Sequence, residues 1–575
     1  MFKGICVDDN EFRICQYADD TVFFIDLCKK SFTVLTKIID LFTVNAGLKI
    51  NYDKCFVKRI GPCKWYNIVY CDELPIIWSH DLITYLGIII PNDIDNITSI
   101  NFASKIKEIK DCLKPWKCRK LSIMGKTTIL KCLVMPKLTY GFSILPNPEL
   151  SFFQDLQNIL FNFLWDDKQD RIKRNVLYSS YREGGLQIPH VKSICFSLKC
   201  TWVKRFLNDY EKWVFLNKIL ANKGGIYFLD CNLHFQNEVI CGIQDDFYRN
   251  VFEAWFHYKF SEPANVNEIR SENIWFNSFI VIDHRVHFIK SWFNKGVKRI
   301  SDLCTNDGGI MSYPVFCESY GIKTNILTYL GIVHAIPKKW RDMLTHDKIS
   351  TLNVSKKDVF MKSKQPAKIY YNHSLITTAI SLINNKLIER WNSDLNLTTP
   401  IKFFQKAFIT SYKCTLDPAL RNFNFKFLHR ISPHKSFLHK AKLVQSPICN
   451  FCNECEQTFI HLFWTCKTTK TFWKEILSWL KDEKHIDTDG LVSSDLLIIY
   501  DNVDNFLLLN TVFVLCKFFI FSCSSSNNAL NLRAYISRLR TLYELESNVS
   551  FLKNKSAANF QKWSPIFLSA LPLCS

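Results

Sequence analysis

Cys449, Cys452, His461 and Cys466 follow the pattern Cys-x2-Cys-x8-His-x4-Cys, and no other feature restricts the folding of this chain so severely. Three thiolates and an imidazole complete a tetrahedral Zn²⁺ shell, and a shell closed by four protein ligands is structural rather than catalytic. Cys455 offers a second register, Cys452-x2-Cys455-x5-His461-x4-Cys466. Without metal the same residues would be ordinary core cysteines. The other cysteines among the 23 sit mostly beside apolar residues, as in Phe521-Ser522-Cys523 and Val514-Leu515-Cys516. Met1 to Asp9 has no long apolar stretch of the secretory kind. Reduced core cysteines in an intracellular protein are therefore expected.

With 575 residues the chain can form two to four domains, at about 150 residues each. A hydrophobic share of 48% supplies large cores, and only 17 Gly and 18 Pro argue against a disordered or fibrous chain. The longest apolar run, Phe506–Phe521, is interrupted by Asn510 and Lys517. About 20 mainly apolar residues are needed to cross a bilayer, and this run is shorter, so a buried core helix is expected, with no membrane partner.

Lys plus Arg (73) exceeds Asp plus Glu (53), a net charge of +20. Between Ser104 and Lys137 ten cations face only Glu108 and Asp111, a local balance of +8. Such a concentration suits a polyanion, because each phosphate neutralised releases condensed counterions. Lys105, Lys114, Lys117, Arg119, Lys120 and Lys126 are the candidate nucleic-acid contacts, with Trp116, Tyr140 and Phe142 as stacking surfaces. Gly125-Lys126-Thr127 is not a phosphate-binding loop, because Lys120 stands where that motif requires its first glycine.

Near the N-terminus, Phe12–Tyr17 and Thr21–Ile25 read as strands separated by Ala18-Asp19-Asp20. Asp favours turns, so a hairpin with an acidic tip is expected, followed by a helix over Ser31–Asn45. Carboxylates on a rigid hairpin suit Mg²⁺, and two such ions serve nucleotidyl transfer by activating the attacking hydroxyl and stabilising the leaving group.

The order of motifs carries a resemblance. Tyr17-Ala-Asp-Asp20, then Gly47-Leu-Lys-Ile-Asn51 with Lys54, then Tyr85-Leu-Gly-Ile88 resembles the palm of LINE-type (non-LTR) retrotransposon reverse transcriptases. Trp116 to Pro148 is similar to their thumb, and Phe163-Leu-Trp165 and Glu183-Gly-Gly-Leu186 to the segment after it. Cys449 to Cys466 is similar to their C-terminal zinc knuckle, in the register that uses Cys449. Leu420–Arg430 resembles the helix before it, with His429 expected to pack or to face nucleic acid.

This resemblance implies Asp19 as a Mg²⁺ ligand with Asp20 beside it as a catalytic residue, and Lys49 or Lys54 near the nucleotide phosphates. It implies an RNA template and a DNA primer or target as partners, in cytoplasm and nucleus. The implied fold class is α+β: a truncated palm (1–90), a basic helical thumb (91–210), a helical region with a linker at Ser355–Pro366 (211–390), and a C-terminal helical segment with the knuckle (391–575). Phe451 or Trp464 of the knuckle would stack on bases. The family also places a further catalytic Asp, the fingers and an endonuclease before the hairpin. The short stretch ahead of Tyr17 cannot supply them, and Asp8 and Asp9 are expected in a turn. The expectation is a reverse-transcriptase fragment inactive alone; the alternative is a non-enzymatic RNA- or DNA-binding protein.

Overall fold

The computed structural model describes residues 2–7, 10–26, 29–48, 50–58, 77–78, 82–209, 213–305, 308–346, 356–378 and 385–567. Helices dominate, and the described strands form five short two-stranded pairs, consistent with an α+β class.

Two compact units are present, each assembled from segments separated in sequence. The first comprises Met1–Lys110, Pro136–Leu156 and Val191–Ser374; the second comprises Asp111–Met135, Gln157–His190 and Leu375–Ser575. The division falls inside the basic stretch, between Lys110 and Asp111.

In the first unit, β1 (Ile5–Val7) pairs with β2 (Asn10–Phe12), and β3 (Ile14–Tyr17) pairs antiparallel with β4 (Asp20–Phe23). The β3–β4 register sets Tyr17 opposite Asp20, leaving Ala18 and Asp19 as a two-residue turn with Ala18 at φ 51°. Helix α1 (Lys29–Ala46) buries Leu35 and Ile39 with Phe2 on one face. Tyr85-Leu-Gly-Ile88 forms the tip of a hairpin: β5 (Ile83–Tyr85) turns into β6 (Ile88–Ile90) through Leu86 at φ 48° and Gly87 at φ 76°. Two successive positive φ values match the turn to the strand twist, and Gly87 accepts one without steric cost.

The core of this unit lies over residues 200–370 and is strongly aromatic, with Trp255, Trp275, Trp292 and Trp340 fully buried. Their indole N–H groups need acceptors when buried: Trp255 donates to the Leu229 carbonyl and Trp275 to that of Val297, both at 2.7 Å. The segment expected to be a linker is helical over Lys356–Lys362. Phe360 is fully buried in this core and Lys357 pairs with Asp230, so the lapse in apolar periodicity marks a short anchored helix.

In the second unit, the helix Phe506–Ser526 runs through a large apolar core. It is the one described helix long and apolar enough to cross a membrane, and 72% of its apolar window is buried inside the unit. Its polar residues are served internally. Asn510 donates to the Tyr500 and Phe506 carbonyls at 2.9 and 2.8 Å, and Lys517 donates to the Leu497 carbonyl at 2.7 Å. Burial pushes the Lys517 ammonium down to about 7. The Glu183-Gly-Gly-Leu186 motif has a packing cause: a Cβ on Gly184 would lie 2.9 Å from the Phe408 ring, and one on Gly185 2.1 Å from the Ser179 carbonyl oxygen.

Candidate functional site

The knuckle begins where Ile448 bridges to Glu456, which returns the chain so that the Cys449 amide donates to the Cys455 carbonyl at 2.9 Å. This tight loop aims Cys449 and Cys452 inward. His461 follows Phe459 and precedes Leu462 and Phe463, all three buried in the core, so packing fixes the ring. Cys466 stands at the N-terminal cap of the helix Lys467–Ser478.

The ligating atoms of Cys449, Cys452, His461 and Cys466 all lie within 4.8 Å of one another. Sγ of Cys449 and Sγ of Cys466 are 4.0 Å apart, and Sγ of Cys452 is 3.4 Å from Nε2 of His461. Tetrahedral zinc with its usual bond lengths would set these pairs at about 3.8 and about 3.6 Å. A disulfide would need about 2.05 Å. The group therefore has the donor set and size for a zinc ion. Cys455 is exposed and outside it.

Local electrostatics suit thiolates. Burial raises the Cys452 thiol, but the amides of Glu454 and Cys455 and the His461 ring outweigh it and bring it down to about 6. Burial holds Cys449 above its ordinary value, opposed by the amides of Cys452 and Phe451 and by the Gln457 side chain. The aromatics expected to stack on bases are turned inward: Phe451 and Trp464 are half-buried against the core.

The basic stretch divides by environment. Lys114, Lys117, Arg119 and Lys120 are exposed; the Arg119 guanidinium lies 4.6 Å over the Trp116 ring, and Lys117 pairs with exposed Asp167 at 2.8 Å. Lys105 pairs with Glu108 at 2.8 Å, and Lys137 meets the same carboxylate at 2.7 Å. Lys126 corrects the sequence reading. It is only 4% exposed, paired with Asp166 at 2.5 Å and donating to the Leu164 carbonyl, because helix α2 (Ile123–Ile129) buries that face. Its charge is spent inside the fold, and it is no phosphate contact. Phe142 is likewise fully buried, 5.5 Å from Phe102, whereas Tyr140 is exposed. His429 packs: its Nε2–H donates to the Gly184 carbonyl at 2.8 Å between Phe408 and Phe425, and burial holds it at about 4.

At the hairpin, Asp19 and Asp20 are exposed. Tyr85 lies near enough that Cys15 and Asp20 add to burial in raising its hydroxyl. Among the described residues no third carboxylate joins the two aspartates into a group able to hold a metal, so the expected Mg²⁺ site has no support here. Lys54 is exposed at the end of the turn Tyr52–Lys54; Lys49, Asp8 and Asp9 lie outside the described residues.

No protein-family model matches the chain.

Sequence reasoning missed Gln457, which is 1% exposed and bonds the sulfur of Cys449 through Nε2 at 3.8 Å. Its only signal was position, a polar residue inside the ligand span.

Proposed function

We propose that the chain binds single-stranded nucleic acid around a structural zinc centre and derives from the C-terminal part of a LINE-type reverse transcriptase. The observation that carries this reading is the buried convergence of Cys449, Cys452, His461 and Cys466 at zinc-like separations. When bound, the ion supplies cross-linking of the knuckle, and no chemistry is asked of it. The exposed cations Lys114, Lys117, Arg119 and Lys120 supply the phosphate contacts. The Lys117–Asp167 pair is no obstacle, since exposed ion pairs contribute only about 0–1 kcal/mol and a phosphate can displace the aspartate. The polymerase reading finds weaker support, because Asp19 and Asp20 stand without a further carboxylate among the described residues.

Fluorescence anisotropy of a labelled single-stranded RNA across a salt series tests the proposal. These four phosphate contacts give a slope of log K against log salt of about −2.8, at about −0.7 per contact on single strands. Replacing Lys117, Arg119 and Lys120 by Ala should flatten it by about 2 units. Equal slopes in variant and parent would return this stretch to a merely solvated face.

A further inference from the structure

The segment before the knuckle carries an exposed aromatic that the site described above does not use. Helix α3 (Lys435–Lys440) has six residues, too few to be stable alone. Phe437 is 54% exposed on it, and the only ring beside it among the described residues is that of His434, at 6.2 Å. Lys440 lies three residues on and so shares the face of Phe437. Lys442 and Leu443 follow, both exposed, with Leu443 at 71%. No acidic residue occurs between Lys435 and Leu443, a stretch that carries Lys435, Lys440 and Lys442. Charge and shape therefore suit a polyanion that offers flat apolar faces, namely a nucleic-acid strand with unpaired bases.

What holds this helix is the knuckle. The first amides of a helix have no partner within it. Here the Lys435 amide donates to Oε1 of Gln457 at 3.0 Å, the Ser436 amide to the Gln457 carbonyl at 3.1 Å, and the Phe437 amide to Nδ1 of His434 at 3.3 Å. The Ser436 hydroxyl donates to Glu456 at 2.5 Å. Gln457 itself donates from its amide to the Pro447 carbonyl at 2.8 Å, and from Nε2 to Oγ of Ser524 at 3.1 Å and Sγ of Cys449 at 3.8 Å. Every polar group of one buried side chain is thus committed, some to the helix and some to the metal-ligating loop.

We infer that Phe437, with Lys440 and Lys442, is a base-stacking platform for single-stranded RNA, and that Gln457 is the positioning residue that ties the platform to the metal centre. The inference rests on the nucleic-acid reading above and adds the place where a base is held.

The test uses the full zinc-loaded chain and a labelled oligouridine in the anisotropy assay. Phe437→Ala should weaken binding about 5- to 150-fold, the range for loss of one stacked base, with zinc content and salt slope unchanged. Phe437→Trp should restore it. Gln457→Ala should reproduce the loss with Phe437 still present, and combining it with Phe437→Ala should cost little more than either alone. Chelating the zinc should weaken the parent and leave the Phe437→Ala variant nearly unaffected. Phe437→Ala binding like the parent would overturn the platform while leaving the nucleic-acid reading intact; this is also the outcome if the segment seats a protein. Independent, multiplying effects of Gln457→Ala and Phe437→Ala would overturn the positioning role. A parent that binds no RNA at all would remove the functional reading and this inference together.

Discussion

Replacing Cys452 by Ser removes one of four ligands from a site in which His461 and Cys466 are already fixed by the core. His461 is held by Phe459, Leu462 and Phe463, and Cys466 by the helix it caps. The metal therefore cross-links mainly the loop carrying Cys449 and Cys452, and its loss should loosen that loop without dissolving the unit. A site for one ion that exists only in the folded state stabilises by RT ln(1 + [Zn]/Kd). Each tenfold rise in free zinc above Kd thus adds about 1.4 kcal/mol. For a unit of about 260 residues this moves the melting temperature by roughly 3–6 °C per decade. Calorimetry in zinc buffers of graded free concentration measures that slope, and elemental analysis should find about one zinc per chain. Cys452→Ser and Cys449→Ser should abolish the slope, while Cys455→Ser should retain it, because the Cys455 thiol is exposed and only its backbone serves the loop. A parent insensitive to zinc would refute the metal centre. A slope lost in Cys455→Ser but kept in Cys449→Ser would refute the ligand assignment.

Other outcomes follow from single residues. Lys126→Ala should leave the salt slope of RNA binding unchanged but lower stability by about 1–3 kcal/mol, since it leaves the Leu164 carbonyl and Asp166 without their donor. Lys517 has a folded pKa of about 7, below its unfolded value of about 10.4, so the unfolded chain holds more protons between these limits and stability gained from this group rises with pH. Lys517→Met should reduce that rise, measured by urea denaturation from pH 7 to about 7.5, where ordinary thiols stay mostly protonated and Lys199, held at about 8 by burial, contributes less; an equal rise in variant and parent would refute the assignment. Primer extension with Mg²⁺ and all four dNTPs should be absent, and robust synthesis abolished by Asp19→Ala would overturn the view that the hairpin carboxylates act without a complete site.

The parts legible in the sequence were those governed by local chemistry. Asp19 between two alternating runs specified a hairpin, and the cysteine and histidine spacing specified which four side chains could converge. Burial was less legible. Lys126 and Lys120 carry the same formal charge within one short stretch, yet only helix packing decides that one is buried, with its ammonium reaching exposed Asp166, and the other meets solvent. Ser355–Pro366 read as a linker because its periodicity lapses, whereas a single buried Phe360 anchors it. The division into units was invisible, because it depends on which apolar faces meet across long separations rather than on any local signal.

That interleaving constrains how the protein is made. Asp111–Met135 leaves the ribosome early, yet the segment beginning at Leu375, with which it shares a unit, emerges only after positions 136–374 have all been made. Ile123 packs early against Phe161 and Leu164, but at about 5–20 residues per second its late partners, Phe425 and the Asn422 side chain that accepts from its amide, arrive roughly 15–60 s after it. Nascent chains of this protein should therefore bind holding chaperones until the segment that begins at Leu375 has emerged. A piece cut at any single point between residues 190 and 375 would lack those late partners permanently.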